Sequence, residues 1–400
     1  MATTDPIPVT TAPSTRPSAG LLVVLSAMPP DQLESVLSSL TAHIPAEDLL
    51  IATPDPLPAE SYPGLRIIAV PATNASFTFT AVDFANAWQL VQANDAMAVL
   101  MLGPESHSLE STAIHALASA VVNSAIDLAV PCYDLPPHTG LVASAILYPL
   151  TSALFAPRLR FPLAIDLCLS LRMVERLGGV AQRFISINQG DAILWPVDEA
   201  ALAGFTIGQV DVGSRAIPQP VGTDLNSILP LVTGSLFYDI DAKASFWQRF
   251  RQATPPGIPR PLNTPEPLST DAAADMAGRI QAFRVAHTNL EEIWRLVLPP
   301  NSLIGLKRLS VADGADFRLP DNLWARIVYD FLLAYRLRTI NRGHLLGALI
   351  PLYLAWVASH INITAAGAVP ESHIEAVAAA FEADKTYLVS RWRWPDRFNP

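Results

Sequence analysis

Apolar residues fall into short unbroken runs in the first third of the chain and into helical stripes in the last third. Leu21-Leu-Val-Val-Leu-Ser, Leu49-Leu-Ile-Ala, Leu65-Arg-Ile-Ile-Ala-Val, Met97-Ala-Val-Leu-Met-Leu and Asp127-Leu-Ala-Val-Pro-Cys each read as a strand. After Pro29-Pro-Asp, residues Leu33, Val36, Leu37, Leu40 and Ile44 share one helical face, and further helices are expected at 81–93 and 109–122. Strands without polar alternation are covered on both faces, and helices between them are the crossovers of a mostly parallel sheet. The pattern therefore predicts an α/β domain. Ligands of such sheets collect outside the carboxyl ends of the strands. That directs attention to the segments after Ser26, Ala52, Val70, Leu102 and Val130.

From 134 to 247 the pattern is less regular, with helices expected at 148–155 and 166–177 and short strands near Ile185 and Ile207. The stretch from Thr254 to Pro267 holds six prolines in fourteen residues, which suits an extended linker and neither helix nor sheet interior. Beyond it everything reads as helix. Met276, Ile280, Phe283, His287, Leu290, Trp294 and Val297 form one stripe, and Trp324, Ile327, Val328, Phe331, Leu332 and Tyr335 another. A third contains Ile374, Val377, Ala378 and Phe381. Such stripes are core packing. The expected division is a leader at 1–18, an α/β domain at 19–250, a linker at 251–270 and an all-α domain at 271–400. The helical part is apolar enough to need a second surface, either the α/β domain or another copy of the chain in a homo-oligomer.

Composition narrows the function. The chain has 400 residues, half of them apolar and 16% charged, enough for two cores. Lys plus Arg number 26 against 36 for Asp plus Glu, a net charge of −10, which argues against nucleic acid or an anionic membrane as partner. Cys132 and Cys168 are the two cysteines, too few for a disulfide framework or a cysteine zinc site, and they suit the interior of a cytoplasmic protein. The first 18 residues are rich in Thr, Pro, Ser and Ala and lack the apolar run of a signal peptide. The uncharged stretch Leu345–Val357 is shorter than the ~20 residues of a spanning helix and contains Pro351, so a core helix is expected and no transmembrane segment.

Strong catalytic motifs are absent: no phosphate-binding glycine loop, no H-E-x-x-H and no G-x-S-x-G occurs. The eight histidines form no pair at ligand spacing, and His107 and His115 read as structural. Asp239-Ile-Asp reads as a solvated helix face. The informative stretch runs from Tyr148 to Asp166, where Arg158, Arg160 and Asp166 interrupt an apolar segment and must find partners or ligands. An internal Arg–Asp pair is one reading. The other has Arg160 and Asp166 lining a pocket for a hydroxylated ligand.

This stretch, through Tyr148, Pro149, Leu150, Ala153, Leu154, Arg158, Arg160, Pro162 and Asp166, resembles the GT-A-fold glycosyltransferases related to glucosylglycerate and mannosylglycerate synthases. Further similar segments are Ala203-Gly-Phe-Thr-Ile-Gly-Gln, Val232-Thr-Gly-Ser-Leu-Phe, Trp324-Ala-Arg-Ile-Val-Tyr-Asp-Phe, Arg338-Thr-Ile-Asn-Arg-Gly-His and Phe381-Glu-Ala-Asp-Lys-Thr-Tyr. The resemblance implies a GT-A-like α/β domain followed by an all-α domain. It implies transfer of a sugar from a nucleoside diphosphate donor to a small hydroxylated acceptor such as glycerate, with a divalent cation, Mg²⁺ or Mn²⁺. Asp166 and Arg160 stand at catalytic positions, and Glu105, Arg215 and Pro29 at nucleotide-sugar positions. Glu105 is the acid left where the family holds its metal.

The departures from the family fall in its functional loops. Leu102-Gly-Pro-Glu-Ser-His replaces a D-x-D-like motif, Arg215-Ala-Ile replaces K-x-H, and Ala27-Met-Pro-Pro replaces the first nucleotide loop. Asp191-Ala-Ile-Leu-Trp keeps Trp195 but displaces the acid, and Pro54-Asp55-Pro56 stands for the base-contacting acids. Three readings stay open. One is a transferase in which Arg160 and Arg215 replace metal charge. The second is a catalytically silent relative that binds a ligand or partner. The third is a peripheral membrane protein using the 345–357 helix.

Overall fold

The computed structural model describes residues 20–55, 62, 64–71, 77–155, 157–218, 224–249 and 270–395. The leader expected at 1–18 and the proline-rich stretch lie outside the described residues. β1 (Leu21–Leu25), α1 (Pro30–Thr41), β2 (Leu49–Thr53), β3 (Arg66–Ala69), α2 (Ala81–Asn94), β4 (Ala98–Leu102), α3 (Ser111–Val122) and β5 (Leu128–Asp134) follow the alternation read from the apolar runs. Then come α4 (Tyr148–Phe155), β6 (Asp166–Ser170), α5 (Leu171–Ser186), α6 (Pro196–Ala203), β7 (Ile207–Ser214), α7 (Leu225–Ala242) and α8 (Ala244–Trp247). The helical part comprises α9 (Thr270–Asn289), α10 (Glu291–Val297), α11 (Pro300–Ser310), α12 (Asp321–Leu337), α13 (Arg342–Ala365), α14 (Pro370–Ala383) and α15 (Lys385–Arg393).

The seven strands form one sheet in the order β3-β2-β1-β4-β6-β5-β7. β6 runs antiparallel to both neighbours and the other pairings are parallel. This is an α/β domain with a mostly parallel sheet followed by an all-helical region. Two apolar clusters, one on each face, cover the sheet.

Two local expectations are corrected. Residues 166–170, expected to begin a helix, are strand β6, buried along Asp166–Leu169. The helix starts one residue later, where the Ser170 hydroxyl caps it by accepting a hydrogen bond from Met173 N. Ile185, expected in a short strand, lies in the last turn of α5.

A third and larger core joins the two parts. It takes in α4, α7, Trp247 and the buried faces of α9–α15. Trp324 of α12 donates from its indole to Ala145 O at 2.8 Å, and Trp294 to Ala348 O at 3.0 Å. The helical region thus packs on the α/β domain of its own chain, one of the two surfaces expected for it.

α13 is longer than the expected 345–357 stretch, because Pro351 sits inside the helix without ending it. By length and composition it could cross a membrane, but 72% of its most apolar window is buried in the protein. The apolar face that the membrane reading would use is therefore committed to the core.

Candidate functional site

Because β6 runs against its neighbours, its first residue, Asp166, pairs with the last residue of β4, Leu102. Asp166 therefore stands at the carboxyl-end rim of the sheet, where ligands of such folds bind. Yet it is fully buried and each carboxylate oxygen is taken twice. Oδ1 accepts from Gly103 N at 3.1 Å and from Arg215 Nη2 at 3.2 Å. Oδ2 accepts from the Tyr133 hydroxyl and from Arg215 Nε, both at 2.9 Å. Burial and the Asp166 charge push the Tyr133 phenol well above its usual value, so it stays a donor.

Gly103 is required at that place, since a Cβ there would sit 2.6 Å from Ile165 O. Arg215 also donates to Pro104 O, Ser108 Oγ and Ala216 O, and its side chain is fully buried. The sequence reading placed Asp166 and Arg215 at separate tasks, catalysis and nucleotide binding. The structure joins them in one saturated ion pair.

The other expected donor-site residues remain apart. Glu105 adopts the left-handed region with φ 62°, and its side chain is 41% exposed, 3.8 Å from His107 Nδ1. Pro29 is an exposed residue preceding α1, and its carbonyl accepts from Leu33 N. Asp55 ties the first two loops together by accepting from Met28 N at 3.1 Å. Hard cations need several oxygen ligands. Asp166 has no lone pair to spare, and no three His, Cys, Asp or Glu side chains among the described residues are placed to hold a metal. The described residues do not fit a divalent cation.

The Tyr148–Arg160 stretch is turned toward the helical region, and its arginines pair with α14 rather than with Asp166. The Tyr148 hydroxyl donates to Glu375 at 2.7 Å, Arg158 pairs with Glu382 at 2.7 Å, and Arg160 Nε donates to Glu371 at 2.8 Å. Both earlier readings of the stretch are altered: the internal Arg–Asp pair is replaced by cross-region pairs, and Arg160 enters a pocket without Asp166. Tyr133 links the two, bonding Asp166 while lining that pocket.

The pocket encloses about 170 Å³ between the ends of β5 and β7 and the start of α14. Arg160 is clamped in its wall. Nη2 donates to Ser144 Oγ at 2.8 Å, and the guanidinium lies over the rings of Phe161 and Tyr148 at 5.0 and 5.7 Å. Nη1 is buried without a protein partner.

Histidines make up another part of the site, although their sequence positions gave no pairing signal. His138, at φ 68°, lies T-shaped against His360 at 5.8 Å. His360 Nδ1 meets His373 Nδ1 at 2.7 Å, and His373 Nε2 meets Asp321 Oδ1 at 3.1 Å. A carboxylate only accepts, so the network places a proton on His373 Nε2, and of the two facing Nδ1 atoms one donates to the other. His360 Nε2 is buried without a protein partner. Burial, then His373, His138 and Arg160, bring the His360 pKa down to about 3, so the ring is neutral. Asp134 and Asp211 are exposed lining residues, with Asp211 Oδ1 accepting from Gly213 N.

A second polar cluster lies between α6 and α7. Lys243 bridges Glu199 at 2.8 Å and Asp239 at 2.5 Å, and Arg176 pairs with Glu199 at 2.8 Å. Asp239 is therefore not the solvated residue that its D-x-D string suggested. Beside it Asp198 is fully buried, and burial with the Asp239 charge holds its carboxyl far above the usual range. This cluster lies outside the lining of the Arg160 pocket.

No protein-family model matches this sequence, and no curated protein does. Among solved structures the chain is similar to glucosyl-3-phosphoglycerate synthase from Mycobacterium tuberculosis in complex with phosphoglyceric acid, at 16% identity and a TM-score of 0.36, covering 56% of this chain and 79% of that one. The same enzyme in complex with Mn²⁺, uridine diphosphate and glucosyl-3-phosphoglycerate gives 15% identity and a TM-score of 0.37, covering 62% and 84%. Likenesses of this degree carry no argument about function, which must rest on the chain's own residues.

Proposed function

We propose that this chain is a glycosyltransferase-type protein that has given up metal-assisted sugar transfer and uses its GT-A-like domain to bind a small ligand. The observation that carries the proposal is the saturated Asp166–Arg215 pair. Charge developing on a leaving diphosphate has to be met by a cation or by donors aimed at it. Arg215 is turned inward onto Asp166, Glu105 lies partly exposed beside His107, and Arg160 is held against Glu371. The hydroxylated acceptor that the sequence resemblance implies loses its partner reaction when the described residues form no donor site.

The test is a screen of the full chain with UDP- and GDP-sugars, with and without Mg²⁺ or Mn²⁺ and with glycerate as acceptor. The expected result is neither donor hydrolysis nor transfer. Turnover with any donor that is lost in Asp166→Ala would overturn the proposal and restore an active transferase.

A further inference from the structure

We infer that the cavity between α7, α9, α13 and the 138–142 loop binds a small amphipathic carboxylate, its head on Arg279 and Tyr353 and its alkyl chain along the apolar wall. This names a ligand class for the binding role proposed above and rests on that reading in this respect alone. The cavity encloses about 440 Å³ and adjoins the Arg160 pocket, with His138, Thr139 and Leu141 lining both. It forms where the helical region meets the α/β domain. There α9 packs along α13, and both face the segments that follow β5 and β7.

Phe77, Ile217, Ile228, Leu354 and Val357 make most of the wall apolar. The polar side chains in the lining are His138, Thr139, Arg279 and Tyr353, and among the described residues no carboxylate lines it. An apolar hollow with a few convergent polar groups is the usual build of a small-molecule site. Tyr353 is 5% exposed, yet its hydroxyl has no hydrogen-bond partner among the described residues. Its oxygen is not sealed off by protein atoms, so it keeps access to the cavity that the residue lines. A buried phenol left in this way calls for an acceptor.

Arg279 supplies the charge. Its one ion pair is with Asp275, a turn away at 2.5 Å, and Asp275 is 58% exposed, so water screens the pair. The guanidinium acts on two other lining groups. Burial first and the Arg279 charge second lower the His138 pKa, and the same charge partly offsets the rise that burial imposes on the Tyr353 phenol. A cation and a free hydroxyl with no acid beside them select an anionic oxygen. The wall selects a hydrocarbon chain next to it. Inorganic phosphate would leave that wall uncovered, and an amine would face Arg279. The volume is about three times the ~150 Å³ that holds benzene in an engineered cavity, so a chain of roughly eight to twelve carbons is accommodated.

The test is calorimetric titration of the full chain with acetate, hexanoate, octanoate and decanoate, alongside 1-octanol and octylamine. Octanoate is expected to bind at one site with Kd below about 1 mM, and hexanoate about tenfold more weakly, the value of two buried methylenes. 1-Octanol and octylamine should each bind about tenfold more weakly than octanoate, the value of one charge-assisted contact. Arg279 is half-buried on a helix, so Arg279→Gln should keep the cooperative melt. It should lose about tenfold for octanoate and little for 1-octanol. Tyr353→Phe keeps the ring in place and should weaken octanoate several-fold.

Failure of octanoate and decanoate to bind at about 10 mM, ten times that weak limit, would overturn the inference. So would 1-octanol or octylamine matching octanoate, or acetate binding as tightly as the longer acids. An Arg279→Gln protein that keeps the full preference for the carboxylate would overturn it too, since uptake would then be on unspecific apolar surface. Nucleotide-sugar turnover bears on the proposed function instead, so the two can fail separately.

Discussion

At the scale of single residues, the buried charges give the clearest expectations. Arg215→Met leaves the Asp166 carboxylate in a fully buried place with its counterion gone, a change that typically costs about 3–5 kcal/mol. Urea unfolding should show the loss, and the double variant Arg215→Met with Asp166→Leu should recover much of it. An unchanged midpoint in the single variant would show that the pair does not hold the rim together.

Asp198 gives the opposite sign. Its folded pKa is raised, so between the unfolded value of about 3.9 and the raised value the native state binds more protons, and stability falls as pH rises. Asp198→Asn removes that dependence and should raise the melting temperature at pH 7, with little gain at pH 4. His360 acts in acid. Its folded pKa of about 3 lies below the usual 6.5, so the unfolded chain takes up an extra proton as pH falls between these values and stability drops. His360→Gln should flatten that part of the stability–pH curve. If the curve keeps its slope, another group is titrating.

At the scale of elements, legibility tracked how much a segment's own pattern decides. β1, β2 and β4 were readable because burial on both faces leaves no polar residue in their runs, and α4 was bounded correctly from its apolar stretch. β6 was missed because it passes into α5 with no intervening turn; the apolar residues of 166–177 fit a helical stripe, and sheet pairing decided the outcome. Ser170, an N-cap type three residues before Met173, was the signal that could have located the join. The site was legible only in part. Arg160 was found because charged residues in an apolar segment demand partners. His138, His360 and His373 sit on three separate elements and meet only through tertiary packing.

The same separation governs α14, whose Glu371, Glu375 and Glu382 receive the Tyr148–Arg160 stretch. These pairs are partly exposed, so each contributes modestly: Glu382→Ala should cost about 1 kcal/mol in denaturant unfolding. In a double-mutant cycle with Arg158→Ala the two losses should fall short of additive by about 0.5 kcal/mol. Full additivity would mean that apolar packing alone seats the helix.

At the scale of the whole molecule, fold and chemistry part company. The mostly parallel sheet, the helices between its strands and the shared core agree with the layout that the sequence implied, because apolar patterning specifies architecture redundantly over many residues. The chemistry depends on a few atoms, and Asp166 and Arg215, read as a catalytic and a nucleotide-binding residue, are bound to each other at the rim. The core spanning α4, α7 and the later helices also predicts that residues 270–400 expressed alone will aggregate, since Trp324 and its neighbours would lose their cover. A monodisperse fragment in size-exclusion chromatography would contradict this.

That joint core has a consequence for chain connectivity. Indole hydrogen bonds, carboxylate pairs and interdigitated apolar side chains cross from one part to the other, so the covalent link from 249 to 270 is not what keeps them together. A single protease cut in that interval should yield two bands on a denaturing gel and one particle of unchanged size in native buffer. The halves would come apart only when unfolded, and two separately synthesised halves would serve as each other's template.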